Sequence, residues 1–139
     1  MKGVYLIPCS CGTPYIGETG RSIQQRICEH AVDLRHGRTK SSALAEHEDK
    51  TKHHVYIEEA KVIARVDRFH HRKLREAIEI ERRPINLNRD DGWKVSRNWI
   101  PALSSSGFFL PSLFIQDAFF MIDQFYLIEF SCIIKAFSY

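Results

Sequence analysis

Two cysteines and three histidines stand at spacings that suit a metal site. Cys9 and Cys11 are separated by one residue, and His47 is followed by His53 and His54. Two thiolates and two imidazoles form a tetrahedral ligand set for zinc, with either His53 or His54 as the fourth ligand. The Cys-x-Cys spacing is tighter than the usual gap of about two to four residues. Two small turn residues beside a histidine-containing loop are therefore the alternative interpretation.

A second group of polar side chains borders the apolar face of a predicted helix. Ser22 opens a capping box and Gly37 suits a C-cap, so we predict a helix from about Ile23 to His36. At about 100° per residue, its apolar side chains form one stripe: Ile23, Ile27, Ala31 and Leu34. Arg26 and His30 lie one turn apart at the edge of this stripe. Two polar groups thus border the expected buried face.

A later predicted helix carries an acid at the margin of its apolar face. Asp67 is a candidate N-cap for this helix, and Pro84 ends it. Glu76 lies about 40° beyond one edge of the apolar arc, whereas Glu79 lies about 100° beyond the other edge, toward water. Glu76 is therefore the carboxylate that we expect beside a site.

The remaining elements complete a small α+β pattern. The runs Gly3–Ile7 and Pro14–Gly17 predict a β-hairpin around a turn-like segment, and residues 41–50 predict a short helix. Residues 55–63 contain enough β-branched side chains for a third strand. The predicted order is strand, strand, helix, helix, strand, helix.

Composition divides the chain near Ile100. The 139 residues are 44% hydrophobic and 27% charged, with a formal net charge of +3, which suits one globular domain and excludes a fibrous protein. All seven histidines precede Ile100, whereas eight of the nine phenylalanines follow it. We therefore predict a domain over residues 1–100 and a Phe-rich apolar tail over residues 101–139 that is not part of it.

The tail is long enough to suggest a membrane span, but its acids oppose one. Asp117, Asp123 and Glu129 recur every six residues, so on a helix they cannot share one polar face. Each acid costs about 2.5–3.5 kcal/mol near the centre of a bilayer. We do not expect a membrane as a partner.

The ordered set of motifs in residues 1–100 resembles the GIY-YIG nuclease domain. It comprises Gly3-Val4-Tyr5, Tyr15-Ile16-Gly17, Arg26 with His30, Glu76 and Asn88. Longer stretches are similar to the endonuclease domain of Penelope-like retroelements: Ile7-Pro8-Cys9-Ser10-Cys11-Gly12, Tyr15-Ile16-Gly17-Glu18-Thr19-Gly20-Arg21-Ser22, Arg75-Glu76-Ala77-Ile78-Glu79-Ile80 and Asn88-Arg89-Asp90-Asp91-Gly92. The resemblance implies an antiparallel sheet of three strands flanked by helices. It also implies an endonuclease that nicks DNA with one divalent metal ion.

The resemblance assigns a role to each catalytic candidate. Glu76 would bind Mg²⁺ or Mn²⁺, and Tyr5 would activate water, with the metal and neighbouring charges favouring its deprotonated form. Tyr15 would orient groups or hydrogen-bond to phosphate, and Arg26 would clamp the charge that develops on the phosphorus centre. His30 would relay a proton or hold Tyr5. Two supporting residues complete the site, Gly17 and Asn88.

The resemblance also bears on partners and on the compartment. DNA is the expected partner, with backbone contacts from residues that include Arg21, Lys40 and Arg89. Arg21 competes with Arg26 for the role of clamp. A Cys-Cys-His-His set is a feature of the Penelope-like branch, in which the nuclease follows a reverse transcriptase, so we expect such an enzyme to be supplied elsewhere. The four cysteines do not form the disulfide framework of a secreted protein, so we expect an intracellular location. The resemblance implies the nucleus.

Two alternatives stay open at the level of sequence. The chain is either a metal-dependent endonuclease or a catalytically inactive, zinc-stabilised module that binds nucleic acid. Trp93 and Trp99 can stack on bases, although packing is the commoner role of tryptophan.

Overall fold

The computed structural model describes residues 1–89 and 92–95 of the chain. The predicted domain boundary near Ile100 and the predicted tail, residues 101–139, lie outside the described residues. Within the described part, no helix is long and apolar enough to cross a membrane.

A three-stranded antiparallel sheet forms the centre of the fold. Its strands are β1 (Gly3–Ile7), β2 (Tyr15–Thr19) and β3 (Lys61–Arg65), in the order β2-β1-β3. Strand β1 therefore uses both of its edges, and Tyr5 pairs with Gly17 on one side and with Val62 on the other. The predicted hairpin of β1 and β2 is confirmed.

Three helices surround the sheet and confirm the small α+β architecture. They are α1 (Ile23–Arg35), α2 (Ala43–Thr51) and α3 (Phe69–Glu81). Helix α1 packs against α2, β1 and β2, whereas α3 packs against β2 and β1. The order of elements matches the order predicted from the sequence.

The ends of α1 follow the expected signals only in part. Ser22 is the N-cap residue, but its side chain makes no capping hydrogen bond, so the predicted capping box is wrong in that respect. Gly37 follows the helix with a φ of +59°, a left-handed conformation that glycine adopts without strain. Helix α2, by contrast, is capped by Ser42, whose hydroxyl accepts a hydrogen bond from the Ala45 amide at 3.3 Å.

The third strand begins later than predicted. Residues 55–63 were expected to form it, but Val55 makes only an isolated bridge with Cys9, and Ile57–Glu59 form a 3-10 turn. The reason is the position of the pairing partner, because β1 pairs with residues 61–65 and the chain before them passes the end of β1. The preference of side chains for β-strands does not determine which residues pair with β1.

The start of α3 also differs from the prediction. The N-cap is Arg68 rather than Asp67, and it makes no side-chain cap. The backbone carbonyl of Asp67 instead accepts a hydrogen bond from Arg72 Nη1 at 3.0 Å. The helix ends at Glu81, before Pro84, as the proline predicts.

The main core lies between β1 and the first two helices. Tyr5 and Ile7 of β1 pack there with Cys9, Ile23, Leu44 and Val55. The apolar stripe predicted for α1 faces this core, since Ile27 and Leu34 pack against it. The buried face of α1 is therefore the one that the sequence indicates.

Glu79 is buried, contrary to its predicted position toward water. Only 2% of it is exposed, and three arginines surround it. Arg75 lies 2.8 Å from its carboxylate, Arg82 lies 3.7 Å away, and Arg83 forms a further close ion pair. The three side chains, at positions i−4, i+3 and i+4, cover the acid. Apolar periodicity cannot reveal this, because it does not register ion pairs.

We expect Glu79→Gln to lower the free energy of unfolding by about 3 kcal/mol, because breaking a buried ion pair leaves uncompensated charge. Urea unfolding followed by circular dichroism measures the change. Glu81→Gln alters an exposed acid of the same helix and should stay within about 0.5 kcal/mol of the wild type. Equal midpoints for the two variants would contradict the assignment.

Candidate functional site

A hydrogen bond between Tyr5 and His30 joins the central strand to α1. The Tyr5 hydroxyl oxygen lies 2.8 Å from His30 Nε2, and both residues are buried, with 1% of Tyr5 exposed. Gly17 lies opposite Tyr5 in the sheet, where a Cβ atom would come within 2.5 Å of the Tyr5 hydroxyl. The glycine thus leaves the space that the phenol occupies.

The protonation of His30 follows from its surroundings. Burial lowers its pKa to about 4, and the positive charge of Arg26 adds to this effect, so the imidazole is neutral at pH 7. Its Nδ1 is buried and has no hydrogen-bond partner among the described residues. An orphaned acceptor is less costly than an orphaned N–H group. The hydrogen bond between the Tyr5 hydroxyl and Nε2 holds the neutral imidazole against the phenol.

Tyr15, Arg26 and Glu76 lie close to this hydrogen bond. The Tyr15 ring meets His30 edge-on, with ring centres 5.3 Å apart. Burial raises the pKa of both Tyr5 and Tyr15; the charge of Arg26 opposes this rise and the charge of Glu76 adds to it. The protein alone thus holds Tyr5 as a neutral phenol. Its surroundings do not favour the deprotonated form that the role of a base requires.

Arg26 remains partly accessible at the edge of the site. About a third of its side chain is exposed, at 34%, and it forms an ion pair with Glu29 at 2.9 Å. Glu29 also binds Arg21 at 2.9 Å. One acid therefore holds two arginines, and the surface at the start of α1 keeps a net positive charge. Arg21 and Arg26, the two competing clamp residues, are brought together rather than separated.

Glu76 lies on α3 in a network of charges that the sequence analysis missed. Its side chain is 16% exposed, and Lys73 Nζ lies 3.5 Å from it. The same lysine binds Glu18 at 2.8 Å, and Glu18 also binds the buried Arg72 at 2.5 Å. Burial raises the pKa of Glu76, and the nearby Glu18 carboxylate adds to the rise, which Lys73 opposes. In the sequence, the i, i+3 spacing of Lys73 and Glu76 was the one feature that could have indicated this network.

Asn88 supports the strand that carries Tyr15 and Gly17. Its side-chain oxygen accepts a hydrogen bond from the Ile16 amide at 3.0 Å, and its Nδ2 donates to the Ile16 carbonyl at 2.5 Å. The side chain thereby pairs with β2 as a neighbouring strand would. This contact fixes the edge of β2 beside the site.

The other predicted DNA contacts, Arg89 and Lys40, lie on the surface and differ in how firmly other residues hold them. Arg89 binds Glu46 at 2.6 Å and donates to the carbonyls of Thr39 and Lys40. Its guanidinium therefore ties the chain after α3 to the loop before α2. Lys40 is exposed beside it. The structure does not join these two residues to Tyr5 by any described hydrogen bond or ion pair.

Four predicted metal ligands converge at the far end of β1. The ligand atoms of Cys9, Cys11, His47 and His53 all lie within 4.8 Å of one another. His47 Nε2 lies 3.5 Å from Cys11 Sγ and 3.4 Å from His53 Nδ1, separations that suit ligands around a tetrahedral zinc ion. His54 instead faces Glu48 at 3.5 Å. The cluster fits a metal such as zinc, with His53 in the fourth position.

The backbone brings these ligands together. The Ser10 amide donates to the His54 carbonyl at 2.9 Å, and the His54 amide donates to the Ser10 hydroxyl at 2.9 Å. A hydrogen bond from Thr13 lowers the pKa of Cys11 to about 6, and His47 contributes in the same direction. Burial raises the pKa of Cys9. Cys11 is thus the readier of the two to supply a thiolate.

Comparisons with protein-family models, with curated proteins and with solved structures find no match to the chain.

We expect His30 to make stability depend on pH. The unfolded chain binds this proton near pH 6.5 and the folded protein only near pH 4, so stability falls as the pH drops through this range. The loss is up to about 3 kcal/mol. Urea unfolding at about pH 7.5 and about pH 5 should show a smaller loss in His30→Gln than in the wild type.

His36→Gln is the matched control, because His36 is an exposed histidine at the end of the same helix. This variant should lose as much stability as the wild type. If wild type and His30→Gln lose the same amount, His30 is not buried in its neutral form.

Proposed function

We propose that the chain is a divalent-metal-dependent endonuclease that nicks DNA, of the GIY-YIG type and closest to that of Penelope-like retroelements. The observation that carries the proposal is the grouping of Tyr5, Tyr15, Arg26, His30 and Glu76. These residues come from β1, β2, α1 and α3, and the charges of Arg26 and Glu76 act on both tyrosines. Four separate elements contribute side chains to this grouping, and only Arg26 and His30 share an element.

The surroundings of Glu76 suit a hard divalent cation. Its oxygens are the ligand type that Mg²⁺ prefers, and Mg²⁺ commonly takes only one or two carboxylates beside waters and substrate phosphates. Burial and the nearby Glu18 carboxylate raise the pKa of Glu76, and Lys73 opposes the rise, so a further cation beside Glu76 would stabilise its charged form. Glu76 would hold the ion, which would supply positive charge to the phosphate and to the attacking water.

The chain's own residues perform the remaining tasks. Arg26 has a partly exposed guanidinium that can exchange Glu29 for a phosphate, binding it by two parallel hydrogen bonds. Neutral His30 holds the Tyr5 ring in place by its hydrogen bond at Nε2, and in the tautomer protonated at Nε2 it would stabilise negative charge on the Tyr5 oxygen. Tyr15 packs edge-on against His30, and its charge would act on Tyr5. Arg21, next to Arg26, adds a contact to the DNA backbone.

A second candidate function is a zinc-stabilised module that binds nucleic acid without cutting it. Two observations favour it: the grouped ligands at the end of β1, and the neutral, buried state of Tyr5. Zinc there would be structural, because the protein supplies all four ligands. The two functions differ in whether Glu76 matters for cutting.

We expect Glu76→Ala to reduce nicking of supercoiled plasmid by at least about 100-fold, because the ligand for the cation is lost. The assay uses the full chain with Mg²⁺ or Mn²⁺ and, in parallel, with EDTA. Binding to a labelled duplex, measured by fluorescence anisotropy, should change by less than about threefold.

Glu81→Ala, an exposed acid on the same helix, should nick as the wild type does. If folded wild-type protein does not nick, the non-catalytic module is the better description. If Glu76→Ala nicks normally, the assignment of the cation to Glu76 is wrong.

We further expect the protein to contain one zinc ion per chain and to lose it in Cys11→Ser. Because the ion links the turn after β1 to the loop after α2, its loss should lower the melting temperature by about 5 °C or more. Atomic absorption and thermal denaturation measure the two effects. Cys28→Ser replaces an exposed cysteine outside the cluster and should retain both zinc and stability. Equal zinc contents in the two variants would exclude this ligand set.

A further inference from the structure

Three aromatic rings form an exposed cluster at the start of α3. Phe69 is 53% exposed and Trp93 is 38% exposed, and their rings meet edge to face with centres 6.4 Å apart. The ring of His70 lies 5.8 Å from Trp93 and 5.3 Å from Phe69. We call these three side chains the aromatic cluster. Large apolar rings grouped at a surface mark a binding site more often than single exposed ones.

Basic residues lie beside the aromatic cluster, and two of them are exposed whereas Arg72 is buried and paired with Glu18. The guanidinium carbon of Arg72 lies 5.8 Å from the centre of the Phe69 ring, a cation–π distance. Arg68 and Lys94, the chain neighbours of Phe69 and Trp93, are both exposed. Aromatic faces beside cations are the combination by which proteins hold single-stranded nucleic acid. The charge therefore complements a polyanion rather than an apolar or basic partner.

Phe69, one residue of the aromatic cluster, and Glu76 lie on one face of α3. Phe69 and Glu76 are seven residues apart, which places them about 20° from each other around the helix and about 10 Å apart along it. Lys73 lies between them on the same face, and it binds Glu76. A DNA strand has one phosphate per about 3.4 Å of rise in the duplex and is longer per nucleotide when extended. The separation thus corresponds to no more than about three nucleotides.

We propose that the aromatic cluster binds an unpaired base of a DNA strand by stacking, within about three nucleotides of the phosphate that is cut. The position relative to the cut rests on the proposed nuclease function, whereas the stacking itself does not. Stacking tolerates any base, because every base has a flat π face. The inferred ligand class is therefore single-stranded or locally unpaired DNA, with little preference for sequence.

The test measures binding of a fluorescent oligothymidine to the full chain without added Mg²⁺ or Mn²⁺, so that no cutting occurs and any structural zinc is kept. Phe69→Ala should weaken binding by about tenfold, since stacking on one aromatic side chain contributes about 1–3 kcal/mol. Ile85→Ala is the matched control, because Ile85 is an exposed apolar residue at 77% that lies outside the aromatic cluster. It should bind as the wild type does. Equal affinities for Phe69→Ala and Ile85→Ala would overturn the proposal.

A second readout does not depend on the folding of Phe69→Ala. The chain has two tryptophans, and Trp99→Phe leaves Trp93 as the single one. The oligothymidine should quench the fluorescence of Trp93, and a fully paired duplex of equal length should quench it less. No quenching at saturating oligothymidine would overturn the stacking. Quenching without nicking would support the base-binding site and contradict the proposed nuclease function. Nicking without quenching would support the nuclease function and contradict the base-binding site.

Discussion

A buried tyrosine hydroxyl on the central strand is the constraint on which the site depends. Tyr5 is 1% exposed on a strand that pairs along both edges, and a buried hydroxyl without a partner is costly. Gly17 leaves room for the phenol, and His30 supplies the hydrogen bond. That bond fixes how α1 is rotated against the sheet. It thereby sets Arg26, one turn before His30, beside the two tyrosines.

The same strand links the candidate active site to the metal cluster. Tyr5, Ile7 and Cys9 follow each other at alternate positions and pack in one core. Cys9 also pairs with Val55, in the chain that leaves the loop containing His53. A metal ion held by Cys9 and His53 would therefore restrain the end of the strand that carries Tyr5. Ion binding at one end of β1 and the order of the site at the other are expected to be coupled through that strand.

Apolar periodicity predicted most of the fold, but it failed where ion pairs and hydrogen bonds determine which residues are buried. The stripe of α1 correctly indicated which face is buried and which edge holds Arg26 and His30. It could not indicate that Glu79 is buried, because three arginines rather than apolar side chains cover it. The pairing of Glu18 with Arg72, 54 positions apart, was equally hidden. Such contacts depend on the packing of α3 against β2, which no local pattern encodes.

The surroundings of Glu76 and Glu79, the two least exposed acids of α3, explain why only one of them suits a cation. Both are largely withdrawn from water, but Glu79 has three arginines around it, whereas Glu76 has Lys73, which it shares with Glu18. Glu18 also binds Arg72, so the two carboxylates face two cations, and burial is the main cause of the raised pKa of Glu76. Adding a divalent ion at Glu79 would set it against three positive charges. Glu76 has one neighbouring lysine and its charge acts on both tyrosines, which is the physical reason for proposing the ion there.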